Sequence, residues 1–205
     1  MMNHKITAII KKIILIMLGI MTMALGTALC QNTNLGIDPF NALCVGLAGA
    51  IHLSTATTIS TIQAVIVVVI LLINRRLIGL GTIIPIIEFG FLLEKFGGLF
   101  TFVNEWTFFM RITFFVIGVI IVAFGMSIYL TCNLGMVPYD AIAFIVNPKH
   151  PFATRIGIDG TAALIGFLIG GPISLGTIIF VFFTGPIVGW FQRYVVQKYL
   201  ILNIQ

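Results

Sequence analysis

Charge is the scarcest property of this sequence. Its 205 residues include 11 Lys and Arg and 6 Asp and Glu, so 8% are charged while 60% are hydrophobic. A soluble domain carries about 25% charged residues, and this chain has too little polar surface to cover a water-facing globule. Cysteine is nearly absent as well. Cys30, Cys44 and Cys132 form no C-x-x-C pair, so no disulfide framework or zinc site is legible. His4, His52 and His150 have no partner at metal-ligand spacing. There is no G-x-S-x-G, H-E-x-x-H or P-loop, and neither an enzyme nor a cofactor is expected. The formal charge of +5 could point to nucleic acid in a soluble protein. Here the basic residues stand at the ends of apolar runs, where they report topology.

What the sequence has in abundance is apolar runs. They fall at residues 9–30, 40–51, 55–73, 80–96, 107–130, 139–146, 152–169 and 175–195. The breaks between them are short and rich in Gly, Pro, Asn and charge, and none could house a separate domain. In hydrocarbon each backbone N–H and C=O needs an internal partner, so these Ile- and Val-rich runs are expected to be helices. The first follows a basic stretch, as in a signal peptide, but about twenty apolar residues are enough to span a bilayer. It is expected to remain as the first helix. The second and sixth runs are shorter than the roughly twenty residues of a full crossing. Either they cross obliquely with help from their flanking loops, or they are half-helices that turn back.

Two stretches read almost alike: Asn34-Leu35-Gly36-Ile37-Asp38-Pro39-Phe40-Asn41-Ala42 and Asn133-Leu134-Gly135-Met136-Val137-Pro138-Tyr139-Asp140-Ala141. Upstream, Gly19 and Gly26 match Gly118 and Gly125. Downstream, Leu80-Gly81-Thr82-Ile83-Ile84 matches Leu175-Gly176-Thr177-Ile178-Ile179. Shared anchors in one order imply a duplication, with repeat one at about residues 9–100 and repeat two at about 107–198. Glycines seven apart lie on one helical face and admit a close neighbour. Asn-Leu-Gly-x-x-Pro reads as a helix break, with Pro39 and Pro138 suited to the first turn of the next helix. Broken helices at matching places in two halves are the best sequence pointer to a transporter's binding site; a tight interhelical turn that merely repeats is the competing reading.

The pattern G-x6-G, then N-L-G-x-x-P-[FY]-[DN], then L-G-T-I, present twice, resembles the YczE/YyaS/YitT-like bacterial membrane proteins, and most of all the YczE branch. The likeness runs from about Gly19 to Phe191. It implies a bacterial inner-membrane protein of two repeats, for which a transporter role is usually presumed. In that family the first motif usually ends in a Pro-Trp-Asp-like triplet. Here it is Pro39-Phe40-Asn41, with the acid displaced to Asp38.

Ionisable residues inside apolar runs are costly and carry a default functional hypothesis. Glu88 sits between Ile87 and Phe89, and its counterpart is Phe183. It is the candidate for ion coupling, against a protonated Glu bonded to a neighbouring helix. Arg155 and Asp159, four apart, share a helical face; they form a local ion pair or hold a substrate group. With Asn34, Asp38, Asn41, Asn133, Tyr139 and Asp140 from the two motifs they make up the candidate substrate site.

The expectation is therefore an all-α, polytopic helix bundle in the cell membrane, carrying a small molecule between its two repeats. The rival is a non-transporting subunit, chaperone or regulator, which would have a dry, packed centre. A homodimer is left open by the small size. Lys5, Lys11, Lys12, Arg193 and Lys198 favour cytoplasmic termini. Eight crossings make the repeats parallel; re-entrant second and sixth runs make them inverted. Charge bias is equal in the two arrangements, and the parallel one is taken as the expectation because flanking loops can lengthen the short runs.

Overall fold

The structure, a computed structural model, describes residues 2–201; for residues 2–5 and 199–201 only the backbone is described, so the side chains of His4 and Lys5 lie outside the description. The chain forms an all-α bundle: α1 (Met2–Asn32), α2 (Pro39–Ala50), α3 (Thr55–Asn74), α4 (Leu80–Leu99), α5 (Phe108–Cys132), α6 (Pro138–Val146), α7 (Pro151–Leu168) and α8 (Leu175–Phe191). A π-helical run, Gln192–Ile201, continues α8. No strand occurs among the described residues, despite the Ile and Val content. Four helices, covering Ile6–Asn32, Thr55–Leu77, Phe108–Cys132 and Leu175–Lys198, are long and apolar enough to cross a membrane.

The helix ends follow local chemistry. Ser54 caps α3 by accepting from the Thr57 N–H, and Asp38 caps α2 by accepting from the Asn41 N–H at 3.1 Å. Pro39, Pro138 and Pro151 each occupy a first-turn position, where the missing N–H costs nothing.

The glycine pairs hold α1 against α5. A Cβ on Gly19 would stand 2.9 Å from the Gly125 carbonyl oxygen, and one on Gly26 would stand 2.7 Å from that of Gly118. Numbering rises along one helix as it falls along the other, so α1 and α5 are antiparallel. They are also the helices that match in the two sequence halves. The expected parallel arrangement is therefore corrected: matching helices run in opposite directions. Hydropathy and charge are the same for both arrangements, and only long-range packing separates them.

The two Asn-Leu-Gly motifs dock crosswise. The Leu35 carbonyl accepts from the Gly176 N–H at 2.8 Å, and the Leu134 carbonyl accepts from the Gly81 N–H at 2.8 Å. The Ile37 N–H donates to Pro172 at 3.3 Å, and the Met136 N–H to Leu77 at 3.4 Å. Each motif thus binds the Leu-Gly-Thr turn that opens the last helix of the opposite half. Gly36 and Gly135 have φ of 107° and 123°, a conformation that L side chains disfavour. A Cβ on either would also lie 2.6 Å from a threonine hydroxyl, that of Thr177 or Thr82.

These contacts fix the course of the chain. We call the end where α1 finishes the far end; there Arg111 Nε donates to the Thr33 carbonyl at 2.6 Å and Asn32 to Gly97 at 3.1 Å. The start of α3 is at the same end, where the Ala56 N–H donates to Glu94 at 3.3 Å. Residues 33–54 therefore leave the far end and return to it. The segment after α5 does the same at the near end, from which α7 runs toward the far end. The short helices α2 and α6 are half-helices. Their first turns meet inside the bundle, with the rings of Phe40 and Tyr139 stacked at 4.5 Å.

Candidate functional site

The first turns of α2 and α6 open onto a cavity of about 370 Å³ between the two halves. That is at the lower end of small-molecule sites, roughly 300–1,000 Å³. Phe40, Phe89, Phe152 and Phe180 supply much of its apolar wall, and Asp38, Asn41, Gln63, Tyr139, Asp140, Arg155, Asp159 and Thr184 its polar groups.

Arg155 organises one side. Its Nε donates to both oxygens of Asp159, at 3.0 and 3.1 Å, and its Nη1 donates to Asp140 Oδ1. The guanidinium carbon lies 4.6 Å from the centre of the Tyr139 ring, and the Tyr139 hydroxyl donates to Asp159 Oδ1 at 2.8 Å. The i, i+4 spacing on α7 brings Asp159 to Arg155, while α6 delivers Asp140 and Tyr139 from its first turn. Two carboxylates and a ring thus hold one guanidinium in place. Across from it, Asp38 accepts from the side-chain amide of Asn41 at 2.7 Å.

Several groups lack such partners. Asn41 Oδ1, Gln63 Oε1 and Thr184 Oγ1 are buried and have no protein hydrogen-bond partner. Their residues are 7%, 2% and 8% exposed and all line the cavity. A buried polar atom left unpaired costs about 1–3 kcal/mol. Three such atoms line this one cavity.

The two sides of the cavity carry different chemistry on matching scaffolds. Phe40 and Asn41 stand where the second motif has Tyr139 and Asp140. Gly90 packs on Ala56, and its counterpart Gly185 has Phe152 as neighbour. Counting seven residues on from Ala56 and Phe152 reaches Gln63 and Asp159; counting three reaches Ile59 and Arg155. Two amides and the carboxyl of Asp38 in the first half thus face two carboxylates and a guanidinium in the second.

The packing is also unequal. A Cβ on Gly90 would lie 2.9 Å from the Ala56 carbonyl oxygen, and Ser60 donates to the Ile86 carbonyl at 2.6 Å, so α3 is pressed onto α4. Gly185 has nothing closer than the Phe152 ring at 3.7 Å, and Gly189 has nothing within 4 Å. Between α7 and α8 the cavity continues toward the near end, past Val188, Gly189 and Gln192.

Of the residues singled out in the sequence, Asp38, Asn41, Tyr139, Asp140, Arg155 and Asp159 come together here. Asn34 and Asn133 do not. They are exposed, in left-handed conformation with φ of 55° and 52°, and Asn34 donates to Asn104 Oδ1 at 2.8 Å. They turn the chain at opposite ends of the bundle. Glu88 stands on α4 outside the cavity lining, with Oε2 buried and without a protein partner. Gln63 and Thr184 were missed, although a lone Gln in the run 55–73 was a readable signal. Among the described residues no group of three or more His, Cys, Asp or Glu could hold a metal ion.

A family described as of unknown function, DUF6198, matches residues 10–193. The chain belongs to this family. A Haemophilus influenzae relative titled "Uncharacterized protein" is 28% identical over 93% of this chain and 88% of its own length. The Bacillus subtilis protein titled "Uncharacterized membrane protein YczE" is 26% identical over 82% of this chain and 80% of its own. YyaS of the same species, titled an uncharacterized protein, is 26% identical over 91% and 94%. No solved structure matches. The apolar helices and the membrane title of YczE agree that this family member is a membrane-embedded protein.

Proposed function

We propose that the protein is a small-molecule transporter built from two inverted repeats, residues 9–100 and 107–198, with its substrate site in the cavity where α2 and α6 meet. Each repeat crosses the membrane three times and adds one half-helix that enters and returns. Lys11, Lys12, Arg75, Arg76, Lys149, Arg193 and Lys198 belong to the near end, while Lys95 and Arg111 belong to the far end. The excess of basic residues supports a cytoplasmic near end, with both termini on that side. The observation that carries the reading is the cavity itself: central, with a mainly apolar wall, yet holding a buried charge cluster and unpartnered polar groups that packing alone would not place there. The rival role as a non-transporting subunit asks for a dry centre.

The unequal packing supports an alternating cycle. With α3 closed on α4 and α7 apart from α8, the site communicates with the cytoplasmic side. Closing α7 on α8 while α3 leaves α4 would present it to the other side, since inverted repeats exchange their conformations. Glu88, an intramembrane carboxylate apart from the substrate groups, is the candidate for ion coupling.

A disulfide trap tests the cycle. Phe152→Cys with Gly185→Cys, in a background lacking the three native cysteines, links α7 to α8 only if they approach as Ala56 and Gly90 do. The expected result is a slow cross-link that stops uptake and is reversed by reductant. Absence of any cross-link under strong oxidant would refute the closure, as would full transport by the cross-linked protein.

A further inference from the structure

We infer that the cavity selects a small organic cation, a primary or secondary ammonium with an apolar or aromatic body. This assignment rests on the transporter reading and adds the substrate class.

The charge balance points there first. Three carboxylates, Asp38, Asp140 and Asp159, face one guanidinium, Arg155, which leaves two negative charges when all are ionised. The first turns of α2 and α6 line the same space, and each helix amino terminus returns about half a positive charge. About one negative charge remains while Asp38 is ionised, and a monovalent cation bound beside it would both balance that charge and favour the ionised form. The charge of Arg155 is already matched by Asp140 and Asp159, which engage its Nε–H and one Nη1–H.

The unpartnered atoms point the same way independently. Asn41 Oδ1, oriented by its Nδ2 donating to Asp38, and Gln63 Oε1 lack donors, and both residues are more than nine-tenths covered. They require a donor. An ammonium group brings two or three N–H donors and the missing charge together, whereas a carboxylate or phosphate brings further acceptors. The wall suits the remainder of such a molecule. Phe40 and Tyr139 are stacked at the centre, and aromatic faces attract cations within about 6 Å. The Arg155–Tyr139 contact at 4.6 Å uses one face in that way. The acid cluster is too spread for a bare divalent ion, which wants several oxygens at 2.0–2.6 Å; no metal-holding group occurs among the described residues.

Four probes of one shape separate the classes: benzylammonium, benzyltrimethylammonium, benzyl alcohol and benzoate. Each is titrated calorimetrically into the full chain in detergent. Benzylammonium is expected to bind, the quaternary ion more weakly because it has no N–H, and the neutral and anionic probes not measurably. Gln63→Leu, which leaves the ion pairs intact, is expected to weaken benzylammonium about tenfold or more, the loss of one charge-assisted hydrogen bond. Asp140→Asn should do the same; if that variant fails to fold, Gln63→Leu decides. Tighter binding of benzoate or benzyl alcohol overturns the cationic assignment, as does no binding of any probe. So does benzylammonium binding that is unchanged in Gln63→Leu. None of these results touches the α7–α8 disulfide trap, which reads the transport cycle without a ligand.

Discussion

Arg155→Met removes the group on which the second half of the site is built. In the native protein the guanidinium bonds Asp159 at 3.0 and 3.1 Å and also bonds Asp140. The side chains of these acids are 8% and 12% exposed. Without Arg155 two carboxylates face each other in a site of low polarity. Breaking a buried pair in this way costs about 3–5 kcal/mol. The guanidinium is 29% exposed, and that partial hydration puts the expectation at the lower figure, about 3 kcal/mol. For a chain of this size each kcal/mol moves Tm by about 2–4 °C, so unfolding in detergent should shift down by about 6–12 °C. The triple variant Arg155→Met, Asp140→Asn, Asp159→Asn tests the cause. With no charge left unpaired, it should recover most of the loss. A single variant that melts within about 2 °C of wild type would refute the reasoning, because the carboxylates would then be hydrated and the pairing worth little. A triple variant no better than the single one would show that the loss comes from packing against Tyr139.

Gly26→Ala should destabilise by about 1–3 kcal/mol through overpacking, because its Cβ would meet the Gly118 carbonyl at 2.7 Å. Gly97→Ala, with nothing within 4 Å, should be neutral or raise stability by up to about 1 kcal/mol; equal melting of the two variants would remove the close α1–α5 approach. Gly36→Ala and Gly135→Ala should each cost at least about 1–2 kcal/mol, from a positive φ in an L residue. A silent variant at either position would show that its turn can relax. Glu88→Gln should leave folding and probe binding intact while abolishing ion-coupled uptake into proteoliposomes, and unchanged coupled uptake would remove Glu88 from the mechanism. An impermeant thiol reagent added outside intact cells should label a cysteine placed at Leu53 and spare one placed at Ile78; the reverse pattern would invert the orientation.

The sequence carried the helices, the break motifs and most of the charged site, because each of these is written locally. A run of Ile and Val in a chain with 8% charge can satisfy its backbone only as helix. Arg155 and Asp159 announce themselves by their cost in an apolar run. Direction was not legible. Whether residues 33–54 cross or return depends on where α3 begins in space, and the basic residues balance equally for both paths. Asn34 and Asn133 looked like site residues because they repeat, but repetition there serves the left-handed turn that ends α1 and α5. Gln63 is legible as a lone amide in an apolar run, but its place on the cavity wall opposite Asp159 depends on how α3 and α7 pack.

The match between the halves shows how two similar break motifs can carry different side chains on one cavity. Each motif docks on the opposite half, through Leu35 to Gly176 and through Leu134 to Gly81, so neither half can complete its own turn. The reciprocal docking keeps the two half-helices aimed at one another. Within that frame the residues are free to diverge where they face the cavity. Asn41 and Gln63 bring amides to the first-half wall beside a single acid, Asp38, while Arg155, Asp140 and Asp159 concentrate charge on the other. A site with ion pairs in both halves would have to bury twice the charge, at several kcal/mol for each added ion. Gathering the ion pairs on one wall lets both halves keep the same broken-helix backbone while burying less charge.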